Sequence, residues 1–349
     1  MTAGELTEEQ LRTIFERDIR PELDALGASS HQDRTLLLAV VGGQPGAGKS
    51  KSISRIQAQH PGLVEVVGDD LRVYHPDYDR LMRENPLAMP AATAQASGRW
   101  VGMAIDYLRE QRRSTLIETT LRQPDVVRDT VAGFRQAGYR TELHVVAVPM
   151  EVSRLGTISR YVGQVEESGA GRWTPMAAHD VAAAAVPGTV TELVRSGVVD
   201  QVSIESRQGQ TYYRASPRPG AYESAAKEAA AAIDNARDPL RLSESEARAW
   251  IEDARIAVQA CVRTGQTDSD LLATVGQVVN RDAVRVSQAA YPADERARQQ
   301  ALDVLRTARR PLARQALGQR IERELKQRRG AGGGHEQPHR DRPDRRGAR

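Results

Sequence analysis

The strongest constraint on the fold is a junction. Residues 35–41 (TLLLAVV) form an unbroken apolar run that stops at Gly42 and enters residues 43–50, GQPGAGKS. A run without polar alternation is what a strand covered on both faces of a parallel sheet requires. The octapeptide fits G-x-x-x-x-G-K-[ST], the loop that curls its backbone around phosphate groups. Gly43, Gly46 and Gly48 let successive N–H groups point inward, with Gln44, Pro45 and Ala47 completing the turn. Lys49 is placed to neutralise phosphate charge, and Ser50 offers a hydroxyl to Mg²⁺. The pattern is short enough to arise by chance. Between a buried strand and a helix starting at Lys49, it predicts binding of ATP or GTP with Mg²⁺.

The chain beyond the loop alternates strand and helix. Strands are expected at 63–67, 114–117, 142–148, 201–206 and 211–214, with helices at 94–112, 125–137, 151–167 and 175–196 and a leading helix at 5–27. That alternation predicts an α/β fold, a parallel sheet flanked by helices. At residues 216–222 (SPRPGAY) the composition changes and every later segment reads as helix. Ser243 and Glu246 have the capping-box spacing ahead of 247–262; 267–290 and 293–308 follow. The expected organisation is a kinase-type domain at 1–216, a helical extension at 217–325 and a disordered basic tail at 326–349.

Net charge is +3, but the tail holds eight Lys/Arg against three Asp/Glu, a net +5, so the other 325 residues carry −2. A near-neutral body argues against a nucleic-acid partner. Cys261 is the single cysteine, so no internal disulfide forms, and no apolar stretch reaches membrane-spanning length. A cytoplasmic location is expected. Cys261, beside Ile256 and Val258, reads as an inert core thiol, and His75, next to Pro76 with no second ligand at metal spacing, as a loop residue.

The loop says where phosphate comes from, not where it goes. No N-K-x-D guanine motif follows, and no strand ends in Asp-Glu as in many motor ATPases. Asp69 closes the second strand, where ligands meet an open α/β sheet. A carboxylate there can accept a hydroxyl proton or help hold Mg²⁺; Asp70 is its rival.

Residues 68–78 (GDDLRVYHPDY), 117–122 (IETTLR), 146–161 (VAVPMEVSRLGTISRY) and 172–175 (RWTP) with His179-Asp180 then stand in one order. From about 35 to 215 the chain resembles the zeta-toxin family, P-loop kinases of UDP-N-acetylglucosamine and related UDP-amino sugars. The resemblance implies Asp69 as catalytic base for the sugar 3′-hydroxyl, Lys49 and Ser50 as phosphate and magnesium residues, and Arg160 and Arg172 on the moving phosphate. It implies Glu118, Thr120 and Arg122 as the sugar site. Two departures fall on the acceptor side: Gly102 where the family often has an acidic residue, and Thr119 where it has Gly. The resemblance further implies growth-inhibiting toxicity and an antitoxin partner. The C-terminal helices read as a brace, with a fused inhibitor or antitoxin-docking surface as the sharper alternative. Two other functions stay open: a kinase for another metabolite or antibiotic, and a nucleotide-switched binding protein using its basic tail.

Overall fold

The computed structural model describes residues 5–27 and 35–331. Its centre is one six-stranded sheet in the order β2-β3-β1-β4-β5-β6. The strands are β1 (Leu37–Gly42), β2 (Val64–Val66), β3 (Thr115–Thr119), β4 (Arg140–Val146), β5 (Gln201–Glu205) and β6 (Thr211–Ala215). The first five are parallel, and β6 returns antiparallel on β5. Every residue of β1 is buried, as its unbroken apolar run requires. The strand order turns at β1, between β3 and β4, and such a turning point opens a crevice at the strands' C-terminal ends.

Helices cover both faces. Those used below are α1 (Lys49–Gln59), α2 (Ala94–Glu110), α3 (Pro124–Gln136), α4 (Met150–Ser168), α5 (Met176–Arg195), α6 (Tyr222–Ala236), α7 (Glu244–Arg263), α8 (Ser269–Gln277), α9 (Ala283–Ala290) and α10 (Glu295–Ala331). One face of the sheet packs Val40, Leu143 and Val145 against α3, α5 and α6. The other packs Ala39, Val41 and Val146 against Ile53 and Ile56 of α1. The N-terminal helix, Glu8–Ile14 continued through a π-helical turn at Phe15–Ile19 into Arg20–Gly27, lies with Trp100 and Leu108 of α2 beside β2.

The cores do not part at residue 216. Ala225, Ala226, Ala229 and Ile233 of α6 belong to the cluster that covers the sheet. Leu155, Ile158, Tyr161 and Val162 of α4 share a second cluster with α7, α8, α9 and α10. The core of the helical extension therefore takes in the outward face of α4. The expected cap is present, since Ser243 and Glu246 form a reciprocal capping box on α7. One expected segment runs on and one ends later than expected. The 267–290 segment runs through a π-helical turn at Val278–Asp282, and α10 continues through Pro311 to Ala331. Of the expected disordered tail, residues 332–349 lie outside the described residues.

Candidate active site

The phosphate loop is shaped by three left-handed or near-extended glycines, Gly43 (φ +150°), Gly46 (φ +76°) and Gly48 (φ +92°). Space enforces two of them independently. A Cβ on Gly46 would sit 2.1 Å from the Ser153 carbonyl oxygen, and one on Gly43 2.7 Å from that of Val146. Gln44 is fully buried: its Nε2 donates to the Val148 carbonyl (2.9 Å) and to Ser153 Oγ (3.4 Å). Arg237, at the end of α6, donates to Gln44 Oε1 from the other side (2.9 Å). Arg207, after β5, donates to the carbonyls of Gly46 and Ala47. The Gly46 and Ala47 carbonyls are thus occupied from outside, and the Ala47 N–H closes the turn on the Gln44 carbonyl (3.2 Å).

Lys49 opens α1 and folds back into the loop. Its Nζ donates to the carbonyls of Gly43 (3.1 Å) and Gln44 (3.4 Å) and lies 3.4 Å from Glu118 Oε1. Burial pushes the ammonium below its usual range, and the Glu118 carboxylate opposes that shift. Ser50 is exposed at the same helix N-terminus, where the helix dipole favours an anion.

Asp69 closes β2's connection and faces two arginines. Arg72 Nε donates to Oδ1 (2.9 Å), and Arg172 Nη2 lies 3.1 Å from Oδ2. Burial alone would raise this carboxyl, but Arg172, Arg72 and Arg160 together hold it below the ordinary aspartate range. Asp70, the rival, is exposed as a residue, yet partial desolvation of its carboxyl, with the neighbouring Asp69 and Glu118, raises it despite Arg172. Geometry separates the two: Asp69 is the carboxylate paired with Arg72 and Arg172.

Arg160, on α4, donates from Nη2 to Thr174 Oγ1 (2.6 Å). Burial and the adjacent Arg172 push its guanidinium down. Arg160 Nε and Arg172 Nε are both buried without a hydrogen-bond partner. Two neighbouring cations with unused donors form an arrangement that an anion would complete.

Lys49, Asp69, Glu118, Arg160 and Arg172 therefore converge in the crevice. Glu118, at the end of β3, stands beside the phosphate loop through its contact with Lys49. Thr120 and Arg122 flank Leu121 on the loop after β3, and Arg122 is exposed. Leu121 adopts a left-handed backbone (φ +56°), uncommon for a branched side chain. Its side chain fills the space of a missing Cβ at Gly42, 2.3 Å away, and Thr189 Oγ1 donates to its carbonyl (2.7 Å).

Sequence reasoning missed Arg72, Arg207 and Arg237. Each acts through a tertiary contact, and only Arg72, three residues after Asp69, carried a local signal. His75 is buried and accepts from the Asp77 N–H through Nδ1 (3.1 Å), a loop-forming bond. Cys261 is fully buried, and burial raises its thiol to about 12.

A phosphate loop at the turning point of a parallel sheet, with a carboxylate and paired arginines facing it, defines a P-loop protein equipped for phosphoryl transfer. The zeta toxin family model matches residues 23–216, and the chain belongs to that family, a family of P-loop kinases. It is 30% identical to toxin zeta of Streptococcus pyogenes over 203 residues, 57% of this chain and 70% of that one. Toxin PezT of Streptococcus pneumoniae is 29% identical over 216 residues, 61% and 83% of the two chains. A solved chain from the PezAT chromosomal toxin–antitoxin system of S. pneumoniae superposes with a TM-score of 0.60 at 21% identity, covering 75% of this chain and 99% of that one. Among the described residues no helix is long and apolar enough to cross a membrane.

Proposed function

We propose that this protein transfers the γ-phosphoryl group of ATP to the 3′-hydroxyl of UDP-N-acetylglucosamine or a related UDP-amino sugar, and that it acts thereby as a growth-inhibiting toxin. The observation that carries the reading is Asp69, an ionised carboxylate paired with Arg172 in front of a phosphate loop. A carboxylate beside a cation that also addresses phosphate joins acceptor and donor in one place.

The roles follow from position. Asp69 orients the acceptor hydroxyl and takes its proton. Its depressed basicity is tolerable, because in a loose transition state little charge develops on the attacking oxygen. Lys49, Arg160 and Arg172 neutralise the equatorial oxygens, and the unpartnered Nε atoms supply two further donors. Magnesium would be held by Ser50 and the nucleotide's own phosphates, and it would offset phosphate charge. Among the described residues no three His, Cys, Asp or Glu side chains group to cage a metal. A cavity of about 1140 Å³ behind the loop, lined by Gly156, Ser159, Arg207 and Trp250, has room for the base and ribose. Glu118, Thr120 and Arg122 face the acceptor. An antitoxin partner is inferred from PezT, whose solved relative is described as part of a toxin–antitoxin system.

The test is incubation with ATP, Mg²⁺ and a panel of UDP-sugars, read by mass spectrometry. A phosphorylated UDP-amino sugar, absent with Asp69→Asn, is expected. If no UDP-sugar gains phosphate, the acceptor assignment is wrong. Gly102 keeps a second acceptor class in view: it is exposed on α2, and an added Cβ there would meet no atom within 4 Å. Small metabolites and antibiotics therefore belong in the same panel.

A further inference from the structure

The loop that carries Arg172 is tied down by the helical extension, not by the kinase core alone. Residues 172–175 run between the end of α4 and the start of α5. They carry Arg172, which reaches Asp69, and Thr174, which accepts from Arg160. Both arginines assigned to the moving phosphate therefore depend on this one short segment. Its helix-starting residue, Pro175, has no side chain able to cap α5. The first N–H groups of a helix need an acceptor from somewhere.

Asp270 of α8 provides it. One carboxylate oxygen, Oδ2, accepts from the backbone N–H of Met176 (3.3 Å) and from Trp173 Nε1 (2.8 Å). A single oxygen from outside thus brackets the segment at both ends. The same face is packed a second time: the Trp173 ring stands edge-on to Tyr161, with centroids 5.4 Å apart, and Tyr161 Oη donates to Gln266 Oε1 (2.6 Å). Asp270 itself sits in the first turn of α8, where Asp268 caps the helix and a carboxylate is favoured by the helix dipole. Trp173 and Tyr161 lie inside the family-matched segment, whereas Asp270 and Gln266 lie fifty or more residues beyond its end.

We propose that Asp270 is a positioning residue for phosphoryl transfer: from the C-terminal extension it fixes the 172–176 segment and so aims Arg172 and Arg160 at the transferring group. The inference rests on the kinase reading above. Asp270 touches neither substrate nor phosphate. Its effect belongs on the transition state rather than on ground-state nucleotide binding.

The test compares full-length wild type with Asp270→Ala, Asp270→Asn and Trp173→Phe. Each is measured for binding of Mg·ADP alone and of Mg·ADP with aluminium fluoride, a mimic of the moving phosphoryl group, and for kcat and KM with ATP. All should bind Mg·ADP within about twofold of one another. Asp270→Ala should lose at least tenfold in kcat and in the extra affinity conferred by fluoride, with KM for ATP unchanged. Asp270→Asn retains an oxygen able to accept both bonds and should stay within about threefold of wild type. Trp173→Phe keeps the ring against Tyr161 but removes one donor, and should fall in the same direction by a smaller factor. A purely structural role would lower the melting temperature while leaving the fluoride-dependent affinity of the folded protein intact; that result overturns the proposal. Should Asp270→Ala fail to fold, Trp173→Phe decides, and an unchanged kcat there overturns it as well. Wild type that does not bind Mg·ADP refutes the kinase reading itself, a different outcome.

Discussion

Arg172 reaches across the crevice from the segment before α5 to place Nη2 3.1 Å from Asp69 Oδ2. Before any substrate arrives, the residue assigned to the acceptor is therefore paired with a residue assigned to the donor. In the proposed reaction a γ-phosphate would compete with Asp69 for Arg172, and a shift of Arg172 toward phosphate would free the carboxylate for the hydroxyl. The resting ion pair keeps each charge satisfied in a half-buried site where an unpaired one would be costly.

Two substitutions separate these roles. Asp69→Asn keeps the shape but cannot take a proton, so kcat should fall by about 10²–10⁴ while ATP binding is retained. Arg172→Ala removes a cation from both partners. Its kcat should fall by about 10²–10³. Because Arg172 helps hold the Asp69 carboxyl below its ordinary range, its loss raises that carboxyl, and the acid limb of the pH–rate profile should move to higher pH. A profile that does not move, measured between pH 4 and pH 8 on the residual activity, would show that Asp69 is not the titrating base.

The phosphate loop makes a prediction with an internal control. Gly46 has φ +76° and no room for a Cβ, with the Ser153 carbonyl 2.1 Å away. Gly46→Ala combines a left-handed penalty of about 1–2 kcal/mol with a backbone clash, so it should lower the melting temperature and abolish ATP binding. Gly98 is exposed in the second turn of α2, and its Cβ position is open. Gly98→Ala should instead stabilise by about 0.5–1 kcal/mol, read from urea unfolding.

What the sequence made legible depended on how local the signal was. The buried strand before Gly43, the alternation of strand and helix and the capping box at Ser243 are written in neighbouring residues, and the fold follows from them. The glycine loop and the strand-end carboxylate were legible for the same reason. Arg160 and Arg172 look like solvated charges until folding sets them beside Asp69, and only family resemblance singled them out. Arg207, Arg237 and Asp270 act at separations that no spacing rule reaches: Arg237 lies 193 residues from Gln44, and Asp270 lies 97 from Trp173. One helix end was misjudged: the segment expected to end at 308 continues through Pro311. Leu312 is fully buried immediately after Pro311, which fixes α10 at the point where proline predicts a stop.

The extension makes a prediction that separates brace from inhibitor. A chain ending at residue 220 would expose Leu155, Ile158, Tyr161 and Val162 of α4 and the sheet face under α6. Uncovering a large apolar side chain costs about 1.5–3 kcal/mol each, and a typical domain holds only about 5–15 kcal/mol in total. The truncated chain should be insoluble or inactive. A soluble fragment with higher kinase activity and stronger growth inhibition than full length would establish the inhibitor alternative instead.

The last prediction concerns acid stability. Ser153 Oγ, His179 and Asp180 stand in series, with His179 Nε2 2.8 Å from Ser153 Oγ and Nδ1 2.8 Å from Asp180 Oδ1. The order resembles a nucleophile–base–orienter triad, but Ser153 is fully buried and Gln44 Nε2 donates to its hydroxyl, so it has no access to substrate. Its role is to brace the phosphate loop. Asp180 and Asp282 in turn hold Arg154, which ties α4 to the helical extension. Burial lowers the His179 imidazole below its unfolded value of 6.5, and the opposing pull of Asp180 does not cancel it. The unfolded chain therefore binds the proton more readily than the folded one, and the stability His179 contributes is complete above pH 6.5 and lost as pH falls below it. The melting temperature should drop between pH 7 and pH 5 more steeply in wild type than in His179→Gln, which cannot take up the proton. Parallel melting curves across that range would rule out His179 as the source of the acid sensitivity.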